Sequence, residues 1–182
     1  MATLSENEIS VKIYTRREGL ASPFAHDLEI RAQRLTCEFR KSGHGAFAVE
    51  AHIDARRLRV RCAVTGMHEE SGVLSLADKD RINAHIQQDV LHTDTFPDIH
   101  FVSTHVDAVP DSLDVTGELT LMGCTRTIRL LAHRVHRHFV ATTQIHQPDF
   151  GIKPFAAPLG LMRVKPDVLV EISLPEEIGL LI

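Results

Sequence analysis

The chain has 182 residues, of which 43% are hydrophobic, 24% charged and 5% aromatic, values that exclude a disordered or fibrous protein. Its 20 Lys and Arg against 24 Asp and Glu give a net charge of -4, which disfavours nucleic acid as the main partner. A chain of this length buries roughly 70% of the surface that its unfolded form exposes. We therefore expect one domain over residues 1–182 that needs no disulfides.

The cysteines and the amino-terminal segment indicate the compartment. Cys37, Cys62 and Cys124 are odd in number and too widely spaced for a local CxxC pair or zinc knuckle, so we expect free, buried thiols. Residues 1–14 contain no apolar run like that of a signal peptide, and no stretch approaches the roughly 20 apolar residues that span a bilayer. We expect a cytoplasmic protein without a transmembrane segment.

Most of the chain alternates apolar with polar residues in short runs, the pattern of antiparallel strands with one buried face. In the first run, for example, Ile9, Val11 and Ile13 alternate with polar residues. Short connections between the later runs favour hairpins between sequential neighbours, and so a meander. The pattern predicts about nine strands, at 9–14, 28–33, 47–54, 57–64, 99–106, 113–121, 125–135, 139–145 and 168–174.

One segment has the period of a helix instead. Ile82, Ile86 and Val90 recur at helical spacing, and Ser75 with Asp78 forms a capping-box pair ahead of them. These features predict a single amphipathic helix around residues 76–91. Because its apolar stripe needs a partner, we expect the helix to cover one end of a curled sheet.

The strands predict an all-β fold, either a sandwich or an antiparallel barrel of about eight strands, and we favour the barrel. A barrel of this size is either filled by its own side chains or holds one small ligand. A mostly aliphatic lining would suit a long, flexible, apolar molecule. The alternating pattern makes these residues candidates for the inward face: Ile30, Val49, Phe101, Leu119, Leu121, Phe139 and Ile145.

The sequence offers little sign of catalysis or of a metal. It contains no GxSxG elbow, Gly-rich phosphate loop or HExxH helix, so we expect no enzyme and no cofactor. His133, His136 and His138 form an HxxHxH run. In a strand His136 and His138 would share one face while His133 points to the other, and the neighbouring arginines would repel a metal cation. We expect solvated turn histidines and no metal ligands there. For the row Arg57, Arg59 and Arg61 we expect the solvent side of a strand rather than an anion site.

Four stretches of the sequence carry recognisable motifs. They are Ala25-His26-Asp27-Leu28-Glu29-Ile30, Val90-Leu91 with Phe96-Pro97-Asp98-Ile99-His100-Phe101-Val102-Ser103, Val115-Thr116-Gly117-Glu118-Leu119-Thr120-Leu121-Met122-Gly123-Cys124-Thr125-Arg126, and Asp149-Phe150-Gly151-Ile152-Lys153-Pro154-Phe155. Within these stretches, Pro97 would stop the helix and Gly117 would mark a kink in a strand. Together the four stretches resemble the YceI-like family of polyisoprenoid-binding proteins, in its leaderless branch. They stand in the family's order, and the resemblance covers most of the chain from about residue 9 to 175.

The resemblance implies an extended, lipocalin-like antiparallel barrel with a helix near one end. Its apolar lumen would take up an isoprenoid or a fatty-acid-like amphiphile without catalysis. His26, Asp27 or Lys153 would orient a head group near the mouth, and Phe155, which stands where the family has a tyrosine, would contact the ligand. Two other functions stay open: a ligand-free barrel that acts as an interaction or stress-response scaffold, and a histidine-rich metal-binding protein. A homodimer also stays open.

Overall fold

Strands make up most of the chain in the computed structural model, which describes residues 2–18, 26–41, 47–156 and 163–178. Ala25 of the first quoted motif lies outside these ranges. The helix is α1 (Leu76–His85). The strands are β1 (Ala2–Ser5), β2 (Ser10–Thr15), β3 (Arg17–Glu18), β4 (Asp27–Ala32), β5 (Leu35–Lys41), β6 (Phe47–Asp54), β7 (Leu58–Thr65), β8 (His68–Glu70), β9 (Asp98–Val109), β10 (Ser112–Leu121), β11 (Cys124–Val135), β12 (His138–His146), β13 (Arg163–Val164) and β14 (Asp167–Pro175).

The alternating pattern of the sequence becomes a two-faced sheet. In β12, Phe139, Ala141 and Ile145 are buried, while His138 and Thr142 between and beside them are exposed. Successive side chains of a strand point to opposite faces, so the apolar residues all reach one side. All nine predicted strands are present. Three further strands of the main sheet, β1, β5 and β8, were not predicted.

The order of the strands corrects the predicted topology. Twelve strands form one sheet in the order β1-β5-β6-β9-β10-β11-β12-β14-β2-β4-β7-β8, and β3 pairs separately with β13. Strands β9 to β12 are sequential neighbours, as expected. Elsewhere the simple meander is wrong, because the late strand β14 pairs with β2 and β4 pairs with β7. The count of about eight strands was also too low.

A two-residue link shows that this sheet is curled. Only Gln33 and Arg34 join β4 to β5, yet seven strands lie between these two in the sheet order. In a flat sheet the strands would be about 38 Å apart, whereas the link reaches at most about 11 Å. The corner is held by two hydrogen bonds, Gln33 N to Arg57 O at 3.1 Å and Asp54 N to Arg34 O at 3.0 Å. The predicted extended, antiparallel, lipocalin-like barrel is confirmed.

The helix also matches its prediction. Ser75 Oγ accepts a hydrogen bond from Asp78 N, and the Asp78 carboxylate accepts one from Ser75 N, which completes the capping box. The segment continues beyond α1 as a π-helical turn over Ile86–Val90. None of the helix side chains is fully buried, and Ile82 is half-buried against the barrel.

Two apolar clusters line the inner side of the sheet. The first, the Phe139 cluster, has as its buried members Leu4, Ile9, Val11, Leu35, Cys37, Phe39, Val49, Leu113, Ala132, Phe139, Ala141 and Ile178. The second, the helix cluster, comprises Ile30, Leu58, Val60, Leu91, Ile145, Phe150, Ile152 and Val168, with Ile82, Ile86 and Val90 of the helical segment packed against it. A cavity lies between and within the two clusters.

Candidate ligand-binding cavity

A cavity of about 810 Å³ occupies the inside of the curled sheet. Inward-facing residues of the main sheet form its wall, and the helical segment lies across it with Ile82, Ile86 and Val90. The volume falls within the range of small-molecule sites, roughly 300–1,000 Å³. The barrel is therefore not filled by its own side chains. Deep in the wall the lining is aliphatic, as in Val11, Ile13, Ala51, Ile53, Val106, Val115, Leu130, Val170 and Ile172.

Most residues predicted from the alternating pattern line this cavity. They are Ile30, Val49, Phe101, Leu119, Leu121 and Ile145. Phe139 is the exception and a correction: it is buried and only 1% exposed, but it does not contact the cavity. Its side chain packs in the Phe139 cluster, as do Leu4 and Ile178, which are also absent from the lining. Phe139 lies near the start of β12, whereas Ile145 of the helix cluster lies near the other end of that strand. We therefore call Leu4, Phe139 and Ile178 the floor of the barrel, at the end away from the helix.

Gly117 explains how Phe101 comes to form part of the wall. A β-carbon at Gly117 would lie 2.5 Å from the Phe101 ring and 2.5 Å from Val102 O, closer than any side chain tolerates. The register between β9 and β10 shifts at Thr116/Gly117, which marks a bulge at the same point. The glycine of the VTGELTL stretch therefore lets the aromatic ring lie directly over the backbone of β10.

Polar residues surround the mouth of the cavity. The Arg81 side chain, which lines it, is 70% exposed, and His85 and Arg17 are also exposed. The His85 ring lies 5.2 Å from the Phe155 ring, and the carbonyl of Phe155 accepts a 2.9 Å hydrogen bond from Val164 N. Residues exposed to solvent on one side and to the cavity on the other mark its opening.

The residues that the resemblance placed at the mouth have different positions. His26 and Phe155 both line the cavity. Asp27 lies in a smaller polar pocket beside it, where its Oδ1 accepts a 2.8 Å hydrogen bond from Arg17 N. Lys153 is exposed and does not contact the cavity.

Cys37 lines the cavity, and its surroundings suppress the reactivity of its thiol. Burial, and then the charge of Glu38, raise the pKa of its thiol to about 12. The thiolate is the nucleophilic form, so at neutral pH the group behaves as a small apolar side chain. Cys37, Cys62 and Cys124 are all free; the first two are buried as expected, whereas Cys124 is half-buried.

The histidine run and the arginine row lie outside the cavity. His133, His136 and His138 are exposed, and His136 has a left-handed backbone at φ 55°. Arg61 is exposed on β7 and pairs with Glu69 at 3.4 Å. Within the described ranges, one group of three metal-ligating side chains converges, Glu50, His52 and His100, and it was not predicted. In the same ranges, no helix has both the length and the apolar character needed to span a membrane.

A curled antiparallel sheet around an apolar cavity, with a helix across one end, defines the lipocalin-like class of β-barrels. Residues 15–175 match the model of the YceI-like domain, and the chain belongs to the YceI-like family.

Two sequence relatives agree with this assignment. The chain is 36% identical over 107 residues to a UPF0312 protein of Shewanella denitrificans, covering 52% of this chain and 54% of the relative. It is 35% identical over 80 residues to protein YceI of Shigella flexneri, covering 38% and 42%. The chain thus aligns with about half the length of these curated relatives.

Solved structures share the fold at low identity. BcnA of Burkholderia cenocepacia superposes with a TM-score of 0.61 at 15% identity, covering 91% of this chain and 94% of BcnA. A mutant of the Campylobacter jejuni YceI protein, described with a monobromobimane guest structure, has a TM-score of 0.54 at 14% identity, with 87% and 88% covered. At these identities the likeness concerns the fold alone.

Proposed function

We propose that the protein binds one molecule with an apolar tail, an isoprenoid or fatty-acid-like chain, inside the barrel and carries or sequesters it without catalysing a reaction. The observation that carries this proposal is the cavity of about 810 Å³ with an aliphatic wall. An empty apolar cavity of this size forfeits the contacts that its lining could make. Burying a hydrocarbon chain there would gain about 0.8 kcal/mol for each CH₂ group.

The distribution of polar groups supports a ligand with a polar head. Arg81 and His85 stand at the opening, each with a carboxylate partner: Arg81 Nη2 lies 2.6 Å from Asp78, and His85 Nδ1 lies 2.6 Å from Asp89. His26, which directly precedes β4, contributes an imidazole to the cavity lining. A tail inside and a head among these groups would leave no polar atom of the ligand buried without a partner.

The interior offers little chemistry for a reaction. Apart from Cys37, Thr143 and Gln147, the wall away from the mouth consists of aliphatic and aromatic side chains, which neither transfer protons nor attack a substrate. Cys37 is neutral at ordinary pH because burial raises its pKa to about 12. These features support binding rather than catalysis.

The test uses adjacent residues on opposite faces of one strand. Phe101 lines the cavity, whereas Val102 is 40% exposed on the outside of β9. Purified protein is extracted with organic solvent, and mass spectrometry measures the lipid per chain. We expect about one lipid per chain in the unmodified protein and in Val102→Lys, and loss of the lipid in Phe101→Lys, because burying an unpaired ammonium in the cavity opposes an apolar tail.

A second variant separates lost binding from lost folding. Leu119→Trp adds apolar volume to the wall and introduces no charge, so it should reduce the bound lipid while circular dichroism shows the same strand content. If the unmodified protein carries no lipid and none binds on addition, the proposal is wrong. Equal retention by folded Phe101→Lys and Val102→Lys would place the lipid outside the barrel.

A further inference from the structure

Three metal-ligating side chains meet on the outer face of the barrel, away from the cavity. Glu50 and His52 are two residues apart on β6, so both point outward. His100 lies directly opposite His52 in the antiparallel pairing of β6 with β9. Ala51, between Glu50 and His52, and Phe101, next to His100, face the cavity on the other side of the sheet. The group is therefore independent of the proposed lipid site.

The three side chains converge on a single point. The His52 and His100 rings are stacked, with centroids 4.1 Å apart and planes inclined by 15°. His52 Nε2 lies 3.3 Å and His100 Nε2 3.1 Å from the same oxygen, Oε1 of Glu50. The ligand atoms are all within 4.8 Å of one another, so a common centre lies no more than about 2.8 Å from each. Small side-chain rotations would bring all three to the roughly 2.0–2.2 Å of zinc bonds.

The donor set matches a transition metal. Two imidazoles and one carboxylate are the protein ligands of one type of open zinc site, in which further positions stay with solvent. Calcium and magnesium prefer oxygen ligands and would not select this group.

Arg40 pairs with the other carboxylate oxygen of Glu50. Its Nη2 lies 3.1 Å from Oε2 of Glu50 and 2.6 Å from Oε2 of Glu38. Oε1, the oxygen that faces both imidazoles, is the one left to a metal. An outer partner that holds a ligating carboxylate in place is a common feature of metal sites.

Other histidines of the described ranges do not form such a group. His85, His105 and His146 each contact a single carboxylate, at 2.6, 2.9 and 2.7 Å. Such one-to-one pairs are ordinary surface contacts. At Glu50 two imidazoles share one oxygen, as they would share a metal ion.

We propose that Glu50, His52 and His100 form a surface site for a divalent transition metal ion, with Zn²⁺ the best match and solvent completing its coordination. This site differs from the HxxHxH run, for which the sequence predicted no metal ligands. A bound ion would also cross-link β6 to β9, and a ligand that binds only the folded state stabilises it.

The test is calorimetric titration of the untagged full chain with Zn²⁺. The matched control is His105→Ala, which removes an exposed β9 histidine paired with one carboxylate. We expect one Zn²⁺ per chain in the unmodified protein and in the control. His52→Ala and His100→Ala should each weaken binding roughly tenfold or more, because losing a direct ligand costs at least as much as losing an outer partner.

A second readout identifies the ligands. Zn²⁺ should raise the thermal midpoint of the unmodified protein and of His105→Ala, but not of the His52→Ala, His100→Ala double variant. The visible spectrum of bound Co²⁺ should likewise disappear in the double variant. Two results would overturn the site: no Zn²⁺ binding by the unmodified chain, or binding by the folded double variant as tight as that of the unmodified chain.

Discussion

At one end of the barrel, Phe139 and Ile178 are each 1% exposed and belong to the same cluster as Leu4. At the other end, the helix that covers the cavity has no fully buried side chain, and Ile82 and Ile86 are only half-buried. Segments with few buried contacts open locally at lower free energy than the core does. We therefore expect the floor to stay closed while the helix end opens, so that the proposed ligand would enter at the helix end.

The largest expected effect comes from truncating one residue at each end. Phe139→Ala removes a ring with almost no exposure and should lower the free energy of unfolding by about 3–5 kcal/mol. Ile82→Ala removes a half-buried side chain and should cost about 1 kcal/mol. Urea denaturation of lipid-free protein measures both. Similar costs at the two sites would remove the distinction between a rigid floor and a loose cover.

Thiol reactivity compares the same two regions without mutation. Cys37 belongs to the Phe139 cluster, and burial raises its pKa to about 12, whereas Cys124 is half-buried against the helix cluster. We expect iodoacetamide to modify Cys37 roughly tenfold or more slowly than Cys124 near neutral pH, since the thiolate is the reactive form. The rate at Cys37 should rise as the pH approaches 12. Peptide mapping gives both rates, with Cys124→Ser to assign the signal; faster modification of Cys37 would contradict the packing described.

The smallest effect should come from the cap of the helix. Ser75→Ala breaks the capping box with Asp78 and should destabilise the helix by about 1 kcal/mol. Hydrogen exchange should then accelerate in α1 and leave β12 unchanged, because only the cover is weakened. Ser71→Ala, an exposed serine just ahead of the helix, is the control. Equal acceleration in α1 and β12 would mean that the cover and the barrel open together.

The local elements could be predicted well. The nine strands and the helix with its cap follow from patterns within a few residues of each other. Strand β5 was missed although Leu35, Cys37 and Phe39 alternate with polar residues there, so its signal was present in the sequence. Six of the seven residues expected on the inward face line the cavity for the same reason, since the period of two assigns a face to each side chain.

The features that the sequence did not predict depend on where a residue lies along the barrel axis and on which strands pair. Phe139 faces inward as its pattern requires, but only the arrangement of the floor shows that it lies beyond the cavity. Glu50, His52 and His100 could not be grouped from the sequence, because 47 residues lie between His52 and His100 and only the register of β6 with β9 brings them together.

The sequence by itself determined most of the strand segments, where helix α1 begins and which side chains turn away from water, because these properties depend on neighbours along the chain. The tertiary structure alone decided that β14 pairs with β2 and that the sheet closes into a barrel at the link of Gln33 and Arg34. It also decided that the interior of the barrel contains a cavity rather than packed side chains. These outcomes depend on how strands distant in the chain pair and how closely their side chains meet, and alternation of polarity carries no information about either.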